Sequence, residues 1–220
     1  MTILGCFTVP FGEYQMEAAK AVPLCDKLKK IFFEKESLGS TFKNKTYRST
    51  QKGNIFESTF DIFNWHDPAI DELSDHIRTH LKLFLGSITT LNPLQINSLK
   101  FNFHPWYHIT RNGGRQGMHN HSNSSWSGIF CIDPGEKIES MPDSGVVYFH
   151  DPRANANMYE DDGLKHLKGE FAHGVMRIEH VAGRLLFFPS YLYHEIFPYF
   201  GKTERVVVAF NCRITLPENS

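Results

Sequence analysis

The sequence predicts a mainly β protein with a helical buttress, its β part a sandwich, jelly roll or barrel. Three observations predict it. After Pro93, seven short β-like runs follow one another, separated by turn chemistry. Before it, two stretches carry the three- and four-residue apolar spacing of helices. The 19 Phe residues recur in short runs, which favours β-rich packing. A chain of 220 residues suits one domain, with residues 1–94 as helical support and 95–214 as the β unit.

Taken in order, residues 2–9 read as a short apolar strand ended by Val9-Pro10-Phe11-Gly12. From Glu13 to Glu36 the pattern is helical, with Met16, Ala19, Val22, Cys25, Leu28, Ile31 and Phe32 on one stripe. Pro23 predicts a break or a late helix start. Residues 37–45 are polar and loop-like, and 46–66 fit either a strand or irregular packing. Asp67 and Pro68 form an N-cap and first helical position for a helix with a stripe of Ile70, Leu73, Ile77, Leu81, Phe84 and Leu85. Gly86 is its expected stop. His76 and His80 lie one turn apart on this helix, as parts of a solvated face. The β-like runs are 95–109, 125–132, 145–150, 173–181, 184–188, 193–198 and 203–214. Residues 151–168 form a polar loop insertion, a candidate lid.

Net charge is -1 with no block of one sign, so nothing points to a nucleic-acid groove or a charged membrane surface. No apolar run reaches membrane-spanning length, and the N-terminus lacks a basic leader. The four cysteines form no C-x-x-C pair and sit in apolar contexts, as reduced thiols of a cytoplasmic protein would.

The chemistry concentrates in Gly113-Gly114-Arg115-Gln116-Gly117-Met118-His119-Asn120-His121. Two histidines one residue apart on an extended backbone share a face and can hold one metal ion with a third ligand. His194, on an aromatic-rich run, is the candidate third. Zinc and iron both accept imidazole. The glycines let the backbone come close to a site. Eleven residues after His194, Arg205 opens an apolar strand and needs a partner. A carboxylate gripped in two-pronged fashion would serve, as would a salt bridge to Glu204 or Glu195.

The order H-x-H, distal His, then Arg on the next strand resembles the 2-oxoglutarate/Fe(II)-dependent oxygenase superfamily. It is closest to a branch found in bacteria and phages that carries an H-x-H motif. The similar blocks are His119-Asn120-His121, Ser127-Gly128, Phe149 to Arg153, Gly183 to Ser190, His194 and Arg205 to Asn211, with a further likeness in Leu4 to Pro10. The resemblance covers residues 95–214. It implies a double-stranded β-helix (jelly roll, cupin-like) and a single oxygenase domain over 1–220. It implies Fe(II) on His119 and His194, with 2-oxoglutarate chelating the iron and its distal carboxylate on Arg205. O2 and a primary substrate, a peptidyl residue such as proline, complete the reaction. That reaction is a dioxygenase hydroxylation coupled to decarboxylation of 2-oxoglutarate to succinate.

The departure is residue 121, where the superfamily has Asp or Glu and this chain has His. We expect His121 to be the third ligand, giving three neutral imidazoles and one negative charge fewer. Asp133 and Asp151 are the carboxylates that could serve instead, off the motif's spacing. Asn211 shares a face with Arg205 by period two and would hydrogen-bond the bound carboxylate. Asn102 and His104 share one with Trp106 and His108 and could line the pocket. Glu195 points away from His194. Two other readings are a three-histidine zinc hydrolase or hydratase, which leaves Arg205 unexplained, and a jelly-roll binding module without chemistry.

Overall fold

A computed structural model describes residues 1–3, 5–153, 155–156, 158–159 and 161–217. Leu4, in the expected first strand, and residues 154, 157 and 160, in the expected lid, lie outside them. Two long helices, α1 (Ala18–Ser37) and α2 (Pro68–Ile88), and the short α3 (Pro93–Ser98) precede the main β region. The strands are β1 (Gly12–Gln15), β2 (Gln51–Lys52), β3 (Ile55–Glu57), β4 (Lys100–Thr110), β5 (Arg115–His119), β6 (Trp126–Asp133), β7 (Val147–His150), β8 (Val175–Ile178), β9 (Arg184–Pro189), β10 (His194–Ile196) and β11 (Arg205–Thr215).

They pair antiparallel in two sheets that form a jelly roll. The six-stranded sheet runs β1-β9-β6-β11-β4-β3 and the five-stranded sheet β2-β5-β10-β7-β8. Strand alternation divides the larger sheet's side chains between two cores. Tyr107, Ile109, Phe130, Leu185, Phe187, Val206, Val208 and Phe210 meet the helices, against Leu24, Leu28, Phe32, Ile70, Leu73, Ile77 and Leu81. Ile129, Leu186, Phe188 and Val207 face inward and pack on Val147, Phe149 and Ile178 of the smaller sheet. The helices therefore cover one face of the larger sheet, and the other faces the site.

Several expected elements differ. The described residues of 2–9 form no strand. Ile3 and Phe7 are exposed, whereas Val9 and Phe11 pack into the inner core and Phe11 stacks on Phe188. The strand is instead Gly12–Gln15, hydrogen-bonded to β9. Helix α1 starts at Ala18 and runs through Pro23. One hydrogen bond near the helix start is lost there, and burial of Ala21, Leu24, Cys25, Leu28 and Phe32 outweighs it. Ala21 and Leu24 replace Ala19 and Val22 on the stripe. Helix α2 opens as expected, with the Ala69 N–H donating to Asp67 Oδ1 at 2.8 Å, but continues past Gly86 to Ile88. The first four residues of the expected strand from residue 95 belong to α3, capped by a reciprocal Asn92–Gln95 capping box with Pro93 at its first position. His76 and His80 are not a free face, because Tyr14 packs on both rings. In the long insertion, Asp161 caps a single turn, Asp162–Lys165.

Candidate metal centre

β5 and β10 are neighbours, and His119 stands directly opposite His194. The pairing slips by one residue between this pair and the Gln116–Ile196 pair. Such a bulge re-aims side chains, and here both Gln116 and His119 line the same cavity although they are three residues apart. Gly117 sits at the slip, its N–H donating to Thr50 O at 2.7 Å. β5 ends at His119, so His121 is not on the strand as expected. It follows in the loop, where its backbone N–H donates to Ser190 O at 2.9 Å. That hold turns its ring back toward the other two.

The three rings converge. Centroid separations are 4.4 Å for His119–His194, 5.0 Å for His119–His121 and 5.1 Å for His121–His194. His121 Nε2 and His194 Nε2 are 3.4 Å apart, and one candidate ligand atom per residue fits within a 4.8 Å span. His119 Nδ1 lies 2.8 Å from Gly117 O and His194 Nδ1 3.0 Å from Leu192 O. A carbonyl only accepts, so both Nδ1 atoms carry the proton and both Nε2 lone pairs are left free. Phe149 and Phe188 wall in His194. Burial lowers the basicity of all three imidazoles. It holds His121 at about 3, with repulsion from His119 adding to it, and His194 well below its ordinary value. Neutral imidazoles with converging lone pairs are a donor set that fits Fe(II) or zinc.

Among the described residues no carboxylate joins the cluster. Asp133 pairs with Lys29, Asp151 with Arg153, and Glu195 with His150 at 3.0 Å. Asp133 and Asp151, the expected alternative ligands, are thus engaged elsewhere.

The same cavity is lined by Trp106, His108, Gln116, Ile129, Phe188, Ile196, Arg205, Val207 and Ala209. Arg205 is 1% exposed, and its Nε and Nη2 have no hydrogen-bond partner among the described residues. Burial pushes the guanidinium down to about 10, still charged at neutral pH. The salt bridges weighed for it are not made. Glu204 stands 3.5 Å from Arg111, and Glu195 bonds His150. A buried cation costs several kcal/mol unless an anion meets it. Gly145 gives it room, since a Cβ there would lie 3.2 Å from Arg205 Cδ, on a backbone with φ +71°.

Asn211 does not line the cavity. Its Oδ1 accepts from Ser127 Oγ at 2.8 Å, and Ser127 shares a second 2.8 Å bond with Ser190. Ser190 is the residue whose carbonyl holds His121. Asn102 and His104 are exposed, whereas Trp106 and His108 reach the cavity.

One buried pair was not expected. Glu57 Oε2 lies 2.8 Å from His108 Nε2. Burial raises the Glu57 pKa, but bonds from His108 and Asn44 and the nearby Arg48 outweigh it and hold the acid at about 2. The available signal was a charge inside the apolar run Ile55-Phe56-Glu57.

Residues 104–211 match a family model described as "Putative 2OG-Fe(II) oxygenase". No curated protein matches the chain. Among solved structures, a Pseudomonas putida prolyl-4-hydroxylase is 16% identical with a TM-score of 0.61, covering 94% of this chain and 93% of its own. A Trichoplax adhaerens prolyl hydroxylase in complex with a hypoxia inducible factor peptide is 13% identical, with a TM-score of 0.62 and coverage of 94% and 84%. The epimerase SnoN, in complex with Fe3+, alpha ketoglutarate and nogalamycin RO, is 10% identical, with a TM-score of 0.60 and coverage of 97% and 84%. At these identities the likeness is one of fold, the double-stranded β-helix. Residues 104–211, on that fold, match the 2OG-Fe(II) oxygenase family, whose enzymes use Fe(II) and 2-oxoglutarate.

Proposed function

We propose that the protein is an Fe(II)- and 2-oxoglutarate-dependent dioxygenase that hydroxylates its substrate, with His119, His121 and His194 holding the metal and Arg205 the distal carboxylate of 2-oxoglutarate. One observation carries the reading: a buried guanidinium without partners on Nε and Nη2 shares a cavity with three converging neutral imidazoles. When bound, iron with 2-oxoglutarate and O2 supplies an oxidant for a C–H bond, giving the alcohol, succinate and carbon dioxide. The chain's own part is placement. Gly117 O and Leu192 O fix two ring orientations. Ser190, tied through Ser127 to Asn211, braces His121; Asn211 supports the site in this way rather than by touching the cofactor. Phe149, Phe188 and Ile129 exclude water.

A zinc hydrolase would use the same imidazoles but leaves Arg205 without a counter-ion, and a binding module leaves both features without a role. For the substrate we take a peptidyl residue such as proline first, on the prolyl hydroxylase fold of two of the structural neighbours. The buried free thiols Cys25, Cys131 and Cys212 support a cytoplasmic, reducing setting. We also read helices and sheets as one domain, since α1, α2 and the larger sheet share a single core.

The test is anaerobic reconstitution with Fe(II) and 2-oxoglutarate followed by O2. Slow succinate release is expected even without a primary substrate. Absence of both succinate and 2-oxoglutarate binding would overturn the reading.

A further inference from the structure

A divalent cation held by three neutral imidazoles in a dry cavity has no anionic side chain to balance it, and in a low dielectric that imbalance is costly. A buried carboxylate stands one side chain behind the cavity wall. Glu57, at the end of β3, is 7% exposed, and no other carboxylate among the described residues falls in the buried class. Its Oε2 lies 2.8 Å from Nε2 of His108, which lines the cavity beside Trp106. The Trp106 ring is 5.7 Å from the His121 ring and 6.3 Å from that of His108. The carboxylate accepts from the amides of Asn44 and Gln51, which are neutral donors. Its one nearby guanidinium, Arg48, is 3.7 Å away on a side chain 44% exposed, where water screens it. The other acids near the site have tight cationic or histidine partners of their own, Asp133 with Lys29, Asp151 with Arg153 and Glu195 with His150. Glu57 alone is both deeply buried and directed, through an imidazole, at the cavity.

We propose that Glu57, acting through His108, supplies the negative charge that the three-histidine centre lacks and so tunes how tightly a divalent cation is held and at what potential. It is a positioning residue. His108 Nε2 lies 2.8 Å from the carboxylate and 3.2 Å from Trp106 Nε1, which can only donate, and these two contacts hold the ring in the cavity wall, within reach of the anion's field. The proposal rests on the three histidines being the metal centre.

The experiment titrates anaerobic apo-protein with Fe(II) and measures the Fe(III)/Fe(II) midpoint potential of the loaded protein. Glu57→Gln keeps the shape and removes the charge. Its Fe(II) affinity is expected to fall roughly 10- to 100-fold, with a higher potential, while Glu57→Asp stays near wild type. In a His121→Asp background, where a carboxylate reaches the ion directly, Glu57→Gln should cost far less. His108→Phe, which cuts the carboxylate off from the cavity, serves where Glu57→Gln does not fold, with the same fall expected. Wild-type protein that binds no Fe(II) would sink the reading of the centre. Wild-type protein that binds it, with Glu57→Gln and His108→Phe equal to it in affinity and potential, would sink this inference alone.

Discussion

At the residue scale, Arg205 separates function from stability. Its guanidinium is buried with two nitrogens unpaired among the described residues, so in the ligand-free protein it is a burden on the fold. Arg205→Met should therefore leave the ligand-free protein as stable or more so, by on the order of 1 kcal/mol, while abolishing measurable 2-oxoglutarate binding. Thermal denaturation with and without 2-oxoglutarate checks both halves, and a large loss of stability in the ligand-free variant would mean that Arg205 has a structural partner. His194→Ala should lower metal affinity by about two orders of magnitude, because a neutral, pre-oriented nitrogen is removed from a dry site. Metal titration of the variant by calorimetry decides that outcome.

At the element scale, β6 carries the tightest constraint on the site. Gly128 faces Phe210 of β11, and a Cβ there would collide with the Phe210 ring and stand 2.5 Å from Leu186 O on β9. The backbone oxygen cannot move without breaking the pairing of β6 with β9. Gly128→Ala should cost about 1–3 kcal/mol, read from the urea midpoint at unchanged slope. A neutral substitution would show that the strands can separate at this point. The bulge in β5 is a second such device, since period two alone would turn either Gln116 or His119 out of the cavity.

At the scale of the whole molecule, stability should depend on pH in a defined direction. Burial, with the charges of His80 and Lys20, holds His76 at about 4 against an ordinary 6.5, and burial with His119 holds His121 at about 3. Between those values and 6.5 the unfolded chain binds protons that the folded chain does not. Stability is therefore fully present above about 6.5 and lost as pH falls toward 4 and then 3. Glu57, held at about 2 against 4.5, adds stability above 4.5 that is lost as pH falls toward 2. Denaturation of metal-free protein from pH 8 to 4 should show a level stretch down to about 6.5 and a fall below it, and a profile flat to pH 4 would contradict the burial of these groups. Helices and sheets share one core, so a single unfolding transition with coincident fluorescence and far-ultraviolet signals is expected. Two separated transitions would divide the helical support from the jelly roll.

Much of this protein was legible in the order of its residues. Asp67-Pro68 announced α2 because an N-cap and a first-turn proline act locally. The alternation through 205–214 announced a strand with one face to each side, and both faces are found as expected. The H-x-H pair, the distal His194 and Arg205 stood out because their residue types and order carry chemistry. What pattern alone misread was set by packing. Pro23 stays inside α1 because the buried stripe outweighs one lost bond, and the described residues of 2–9 form no strand because Val9 and Phe11 are drawn into the inner core. Only the tertiary structure decided that His121 leaves the strand yet converges on residues 119 and 194, that Arg205 lacks partners for two of its nitrogens, that Asn211 braces a loop, and that Glu57 stands behind His108. These are statements about burial and about which charge meets which across dozens of intervening residues. Local propensity holds no record of them, because desolvation and pairing act through space and not along the chain.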